Sequence, residues 1–338
     1  MNIVKANGID LTYDSFGSDE DVPILLIAGL GTQMIRWTVP FCEALAARGY
    51  RVIRFDNRDA GCSTHFPQHM HLDFGTLAAA LMAGQRPEVP YTLHDMASDA
   101  IGLLDGLAIG RAHIVGRSMG GMIAQIMASE HPERVLSLTS IMSSTGNPTL
   151  PQAEPDVMAM MMRPAPDPVS NEAGFLAHSV TFARRIAGKH HFDDEAHGLL
   201  VLEEVRRAYD PGGSGRQIAA MAVAGDRRAR LATVTAPTLV IHGTDDPLIL
   251  PACGRDTAAS IPNADLMLVD GMGHDLPPAL YRKVIEAIDQ TARRALYRYG
   301  ARISPSGDRA SSIRAPHQSL VSNGGQTAEL TSRGKAPP

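Results

Sequence analysis

Apolar and polar residues alternate at the start of the chain, over residues 3–5 and 9–16, on either side of Asn7-Gly8. That alternation suits two strands with one covered face, and Asn-Gly is a favoured two-residue hairpin turn. At 23–28 the polar positions vanish, as expected of a strand buried on both faces. Residues 37–48 read as a helix with Phe41, Ala44 and Leu45 inward and Gly49 as its stop, and 50–55 as the next strand. Met96, Ala100, Leu103, Leu104 and Leu107 recur at helical spacing within 91–107. A short buried strand at 112–115, a helix at 121–128 and a strand at 135–142 continue the rhythm. Strand and helix alternating in this way predict the α/β class, with a mostly parallel central sheet covered by helices on both faces.

The rhythm breaks after Ser144. Residues 148–168 hold six prolines and a methionine patch, Met158, Met160, Met161 and Met162. Helical patterns follow at 172–187, 194–209 and 216–224. Strands return at 237–242 and 265–270, and a last helix covers 280–297. The expected organisation is a first core part over 1–144, a helical cap inserted at 145–228 over the end of the sheet, and a second core part over 229–299. From Gly300 onward Ser, Gly, Pro, Arg, Gln and Thr dominate without apolar periodicity, so 300–338 is expected to be a disordered tail.

Composition narrows the function. At 338 residues the chain can bury a sizeable core, and 44% hydrophobic with 20% charged residues is ordinary for a globular protein. A formal net charge of −5 argues against a general nucleic-acid binder, whose phosphate contacts call for a basic surface. Three scattered cysteines, Cys42, Cys62 and Cys253, make neither a disulfide framework nor a CxxC zinc site. The first residues lack a basic and an apolar region, and no apolar run is long enough to span a bilayer, so a cytoplasmic protein without a membrane span is expected.

The chemistry centres on Gly116-Arg117-Ser118-Met119-Gly120, set between the predicted strand and helix. A serine between two glycines at a sharp strand-to-helix turn is a nucleophile elbow, and the helix aims its first N–H groups at the same spot. A serine hydroxyl needs a base, and the base needs a group to orient it. Strand 237–242 runs into Gly243-Thr244-Asp245-Asp246-Pro247, and strand 265–270 into Gly271-Met272-Gly273-His274-Asp275. Both loops fall at the sheet edge that carries the elbow, where such sheets bind ligands. A carboxylate and His274 are therefore expected beside Ser118. The N–H of Met119 and that of Leu30, in Gly29-Leu30-Gly31 after the strand at 23–28, are the expected donors to an oxyanion. A dinucleotide-binding G-x-G-x-x-G would need a glycine where Met34 stands and an acidic residue about twenty positions on, and both are missing. His113 and His242, inside strands, read as packing. His190 and His191, in a polar linker, read as a solvated surface.

With elbow, acid loop and histidine loop in that order, the sequence resembles the α/β-hydrolase superfamily from about Ile3 to Leu296. Within it the chain looks closest to lipolytic esterases of the aclacinomycin-methylesterase type. Ile27-Ala28-Gly29-Leu30-Gly31, the stretch from Arg54 to Thr64, Gly116-Arg117-Ser118-Met119-Gly120-Gly121 and Gly271-Met272-Gly273-His274 carry the likeness. The resemblance implies a Ser118–His274–Asp246 triad, with Asp246 rather than Asp245 as the acid. It also implies that Asp56 and Arg58 shape the loop beside the oxyanion hole without taking part in catalysis. Many relatives have His-Gly where this chain has Ala28-Gly29, and small or neutral residues where it has Arg117. Arg117 is accordingly a candidate for a substrate carboxylate, and Met160, Met161 and Met162 are candidates for an apolar pocket wall.

The expected function is a carboxylesterase acting on a small-molecule ester through a seryl acyl-enzyme, with no cofactor and no metal. A lactonase, a C–C bond hydrolase or a perhydrolase would use the same residues. A non-catalytic ligand-sensing scaffold is the alternative from another class.

Overall fold

In the computed structural model, residues 1–69, 73–189 and 192–298 are described, and all of them fall in one compact unit. The hairpin is β1 (Asn2–Ala6) and β2 (Ile9–Phe16), with both turn residues at positive φ, Asn7 at 49° and Gly8 at 79°. That is the backbone which makes Asn-Gly a hairpin turn. The chain continues through β3 (Val22–Ile27), α1 (Val39–Ala46), β4 (Tyr50–Phe55), α2 (Phe74–Met82), α3 (Leu93–Gly106), β5 (Ala112–Arg117), α4 (Met119–Glu130) and β6 (Val135–Ile141). Five helices follow: α5 (Pro155–Met161), α6 (Glu172–Ile186), α7 (Asp194–Arg207), α8 (Gly213–Ala222) and α9 (Arg228–Leu231). Then β7 (Thr238–Gly243), α10 (Pro251–Ser260), β8 (Asp265–Val269) and α11 (Tyr281–Arg298) complete it.

Among the described residues the strands form one eight-stranded sheet in the order β1-β2-β4-β3-β5-β6-β7-β8. β1 and β2 pair antiparallel, β2 pairs antiparallel with β4, and every other pairing is parallel. The fold is that of an α/β hydrolase.

Burial explains why β3 is apolar at every inner position. Ile24 and Leu26 pack on one face with Phe41, Leu45, Val284 and Ile288 from α1 and α11. Leu25 and Ile27 pack on the other with Met96, Leu103, Ile123 and Met127 from α3 and α4. All four β3 side chains are fully buried, each stabilising the fold by roughly 1.5–3 kcal/mol through surface removed from water. The order of the strands has a functional consequence. From β3 the sheet grows one way to β4 and the other way to β5, so a crevice opens beyond the C-terminal ends of β3 and β5.

Several elements differ from the sequence expectation. The helix expected over 37–48 is shorter, because Pro40 sits in the first turn of α1 and fixes its start, while 34–36 form a separate 3-10 turn. Four helices, α2, α5, α9 and α10, lie in stretches where none was expected. α2 follows its cap, Asp73, whose carboxylate accepts from the Gly75 and Thr76 amides. α5 lies in the proline-rich region, with Pro155 at its first turn. α8 starts three residues before the expected 216, because Gly213 lets the helix approach the Asp59 carbonyl, which a Cβ there would meet at 2.3 Å. His190, His191 and the expected tail at 300–338 lie outside the described residues.

Candidate active site

Ser118 occupies the one position between β5 and α4. Its backbone lies at φ 55° and ψ −124°, a strained conformation for a residue with a side chain. The neighbouring glycines make the turn possible. A Cβ on Gly116 would lie 2.1 Å from the Gly120 carbonyl oxygen, and one on Gly120 would lie 2.3 Å from that of Ile27. Hydrogen bonds hold the turn: Ser118 N–H donates to the Ile141 carbonyl at 2.9 Å, and the Ser143 hydroxyl donates to the Ser118 carbonyl at 2.8 Å. α4 is buried on nearly all sides, which accounts for its almost unbroken apolar sequence.

The loop after β8 brings His274 to this serine. Its Nε2 lies 3.0 Å from Ser118 Oγ, and its Nδ1 lies 2.7 Å from Asp246 Oδ2. Gly273 allows the chain after α6 to close against the loop, since a Cβ there would stand 2.4 Å from the Gly188 nitrogen. His274 N–H itself donates to the Ile186 carbonyl at 2.7 Å, at the end of α6.

The loop after β7 turns Asp246 inward and Asp245 outward. Asp246 is 1% exposed, and its Oδ1 accepts from the Leu248 and Ile249 amides at 3.0 and 2.9 Å. Asp245 pairs instead with Lys189 at 3.2 Å. Burial pushes the Asp246 carboxyl up. The charge of His274 and hydrogen bonds from His242 and His274 oppose that push and hold it well below the ordinary carboxylate range. His242 was expected only to pack, yet its Nε2 lies 3.5 Å from Asp246 Oδ2 and 2.7 Å from the Ile249 carbonyl. The signal was its spacing, four residues before the acid at the end of a strand. His113 does pack: it is buried, bonded to Ser137 Oγ at 2.8 Å, and pushed down to about 3 by burial.

Gly29 follows β3 and crosses close over the serine, with its Cβ position 3.2 Å from Ser118 Cβ. Neither Leu30 N–H nor Met119 N–H has an acceptor among the described residues, whereas Gly31 N–H donates to Gln217 Oε1 at 2.7 Å. The next loop supports this one. Asp56 accepts from the Met34 amide at 2.7 Å, Asn57 donates to the Ala28 carbonyl at 3.1 Å, and Arg58 pairs with Asp99 through two bonds of 2.6 Å.

The remaining candidates stand apart from this cluster. Arg117 lies 5.2 Å over the Trp37 ring, with Nη1 3.4 Å from the Arg36 carbonyl. Burial, and then Arg36, push its guanidinium down to about 10. Met160 and Met161 are half-buried on α5, while Met162 is 55% exposed. The carboxylates of Asp59 and Asp210, which with His65 make a metal-like trio, are bridged by the guanidinium of Arg216. No helix among the described residues is long and apolar enough to cross a membrane.

Comparison with known proteins adds a family and relatives. The model of a family described by its alpha/beta hydrolase fold matches residues 22–277. The chain is 29% identical to a rhodomycin D methylesterase of Streptomyces peucetius, over 87% of this chain and 98% of that protein. Among solved structures, an enol-lactonase from Burkholderia xenovorans superposes with a TM-score of 0.62 at 24% identity, covering 88% of this chain and 100% of the other. An esterase from Exiguobacterium antarcticum superposes with a TM-score of 0.65 at 19% identity, over 86% and 98%. These two likenesses concern the fold.

Proposed function

The chain belongs to the α/β-hydrolase family, and on that premise we propose that it is a carboxylic ester hydrolase working through a seryl acyl-enzyme. The observation that carries the proposal is the unbroken hydrogen-bonded line from Ser118 Oγ through His274 to Asp246. In this reading Ser118 Oγ attacks the ester carbonyl while His274 Nε2 takes its proton. Asp246 holds the imidazole in the tautomer with its proton on Nδ1 and favours the imidazolium that forms. The carbonyl oxygen, now an oxyanion, accepts from Leu30 and Met119 N–H groups, which have no acceptor among the described residues. His274 returns the proton to the departing alcohol oxygen, leaving an ester between Ser118 and the acyl group. Water then gives a proton to His274 and attacks the acyl carbon. Collapse of that second tetrahedral species breaks the bond to Ser118 Oγ, which recovers the proton, and the acid departs.

The likeness to a methylesterase over nearly the whole chain supports methyl and other short alkyl esters as the first substrates to test. We read 145–228 as a cap over this site, with Met160 and Met161 lining the acyl side. Met162 and Arg117 fall outside that wall, the one for its exposure and the other for its place on Trp37. Hydrolysis of methyl, ethyl and p-nitrophenyl esters by the wild-type protein and by Ser118→Ala tests the proposal. Loss of about six orders of magnitude in kcat is expected of the variant. Turnover that survives in clean Ser118→Ala protein would overturn it.

A further inference from the structure

The Gly29-Leu30-Gly31 loop is held from two sides, by Thr32 within the loop and by Gln217 from α8. Gly29 passes close over Ser118, where a Cβ would stand 3.2 Å from Ser118 Cβ. Gly31 has φ +62°, and a Cβ on it would lie 2.4 Å from Ser214 Oγ at the start of α8. Two glycines in three residues leave the peptide planes free to turn unless held. The Gly29 carbonyl, in the peptide that carries Leu30 N–H, accepts from Thr32 Oγ1 at 3.0 Å, and the next peptide, Leu30–Gly31, is fixed from α8. Gly31 N–H donates to Gln217 Oε1 at 2.7 Å, and Gln217 Nε2 donates to the Arg58 carbonyl at 2.8 Å. Gln217 is fully buried, and its amide fits in one orientation, since the reverse would set N–H against N–H and oxygen against oxygen. The adjacent Arg216 ties the same turn of α8 to Asp59 through two bonds of 2.8 Å.

We propose that Gln217 is a positioning residue for oxyanion binding, which pins the Leu30–Gly31 peptide so that Leu30 N–H stays turned toward the substrate carbonyl at Ser118. The inference rests on the reading of Leu30 N–H as an oxyanion donor. It makes the helical insertion part of the catalytic apparatus as well as a roof. Gln217 touches no reacting atom, so its effect belongs in the stabilisation of charge and not in substrate affinity.

Two variants separate this role from packing. Gln217→Met keeps the volume and removes the acceptor for Gly31. Gln217→Glu keeps that acceptor and sets a second carboxylate oxygen against the Arg58 carbonyl. The readouts are kcat and KM for p-nitrophenyl butyrate, and the inhibition constant of an aryl trifluoromethyl ketone, whose adduct with a serine carries an oxyanion. Gln217→Met should lose about tenfold to a hundredfold in kcat, less than the 10²–10³ of deleting a donor outright. Its affinity for the ketone should fall by the same factor, with KM within about threefold of wild type. Gln217→Glu should retain more of both than Gln217→Met. A merely packing role gives the opposite order, because a buried carboxylate is harder to accommodate than methionine.

Wild-type kcat and ketone affinity in Gln217→Met, or a loss confined to KM, would overturn the inference. If Gln217→Met does not fold, Gln217→Glu decides: ketone affinity within about tenfold of wild type is expected, and a loss beyond a hundredfold overturns it. A wild-type enzyme that the ketone does not inhibit would instead bring down the oxyanion-hole reading itself.

Discussion

At the scale of single residues, chemistry follows from direction as much as from identity. Asp245 and Asp246 are adjacent carboxylates, yet one meets Lys189 and the other His274. Asp246→Asn should therefore cost about four orders of magnitude in kcat, because the amide favours the wrong imidazole tautomer. Asp245→Asn should stay within about threefold of wild type. Steady-state kinetics on one p-nitrophenyl ester checks both, and a larger loss in Asp245→Asn would reverse the assignment. The sequence placed a carboxylate in this loop and left the choice between neighbours to a family likeness, since strand periodicity ends where the loop begins. Arg117 shows the same limit. Its charge invited a substrate carboxylate, but the side chain turns to Trp37, a direction no spacing encodes.

His113 gives a second test at this scale. Its folded-state value near 3 lies below the ordinary value of about 6.5, so between those limits the unfolded chain holds a proton that the folded chain does not. Stability contributed by neutral His113 is thus complete above about pH 6.5 and is lost as pH falls toward 3. His113→Asn should remove that sensitivity. Between pH 7 and pH 5 its unfolding free energy in urea should fall by about 2 kcal/mol less than that of wild type. Equal slopes would contradict the burial of a neutral ring.

At the scale of elements, the strands and the long core helices were legible because burial imposes a period. β4 matches its expected limits, and β3, α3 and α4 lie within a few residues of theirs. The helices that went unseen, α2, α5, α9 and α10, lack such a stripe: α9 is a single turn with only Leu231 buried, and α10 buries Cys253, Gly254 and Thr257. In α2 only Leu77 is buried, and in α5 only Val157, so neither leaves a repeating apolar signal. The elbow was readable through its glycines, whose contacts set a further expectation. Gly120→Ala would drive a Cβ into the Ile27 carbonyl at 2.3 Å, between two elements that cannot separate cheaply. Ester turnover should vanish and the melting temperature should drop by several degrees. A stable, active Gly120→Ala protein would show that α4 has room to shift.

At the scale of the whole molecule, α8 and the loop after β4 are joined by polar contacts that no sequence pattern announced. Arg216 is 1% exposed and binds Asp59 and Asp210; Tyr91 donates to Asp59, and Arg58 stacks over Tyr91. These residues come from three separate stretches, 58–59, 91 and 210–216, so their meeting depends on the completed fold. Arg216→Leu would leave the Asp59 carboxylate buried with its main partner gone, a change that typically costs 3–5 kcal/mol, or about that order here. Chemical denaturation should show the loss, and kcat should fall with it because Gln217 sits on the same turn of α8. A variant as stable as wild type would mean that α8 is held by other contacts.

The claim on which the rest depends is that Ser118 carries the acyl group between two half-reactions. Mixing the enzyme with excess p-nitrophenyl butyrate, quenching in acid within milliseconds and measuring peptide masses addresses it directly. A butyryl group on the peptide containing Ser118, forming with a burst of p-nitrophenol and absent from Ser118→Ala, is the predicted result. Full ester turnover with no acyl group on Ser118, or with the group on another residue, would contradict it.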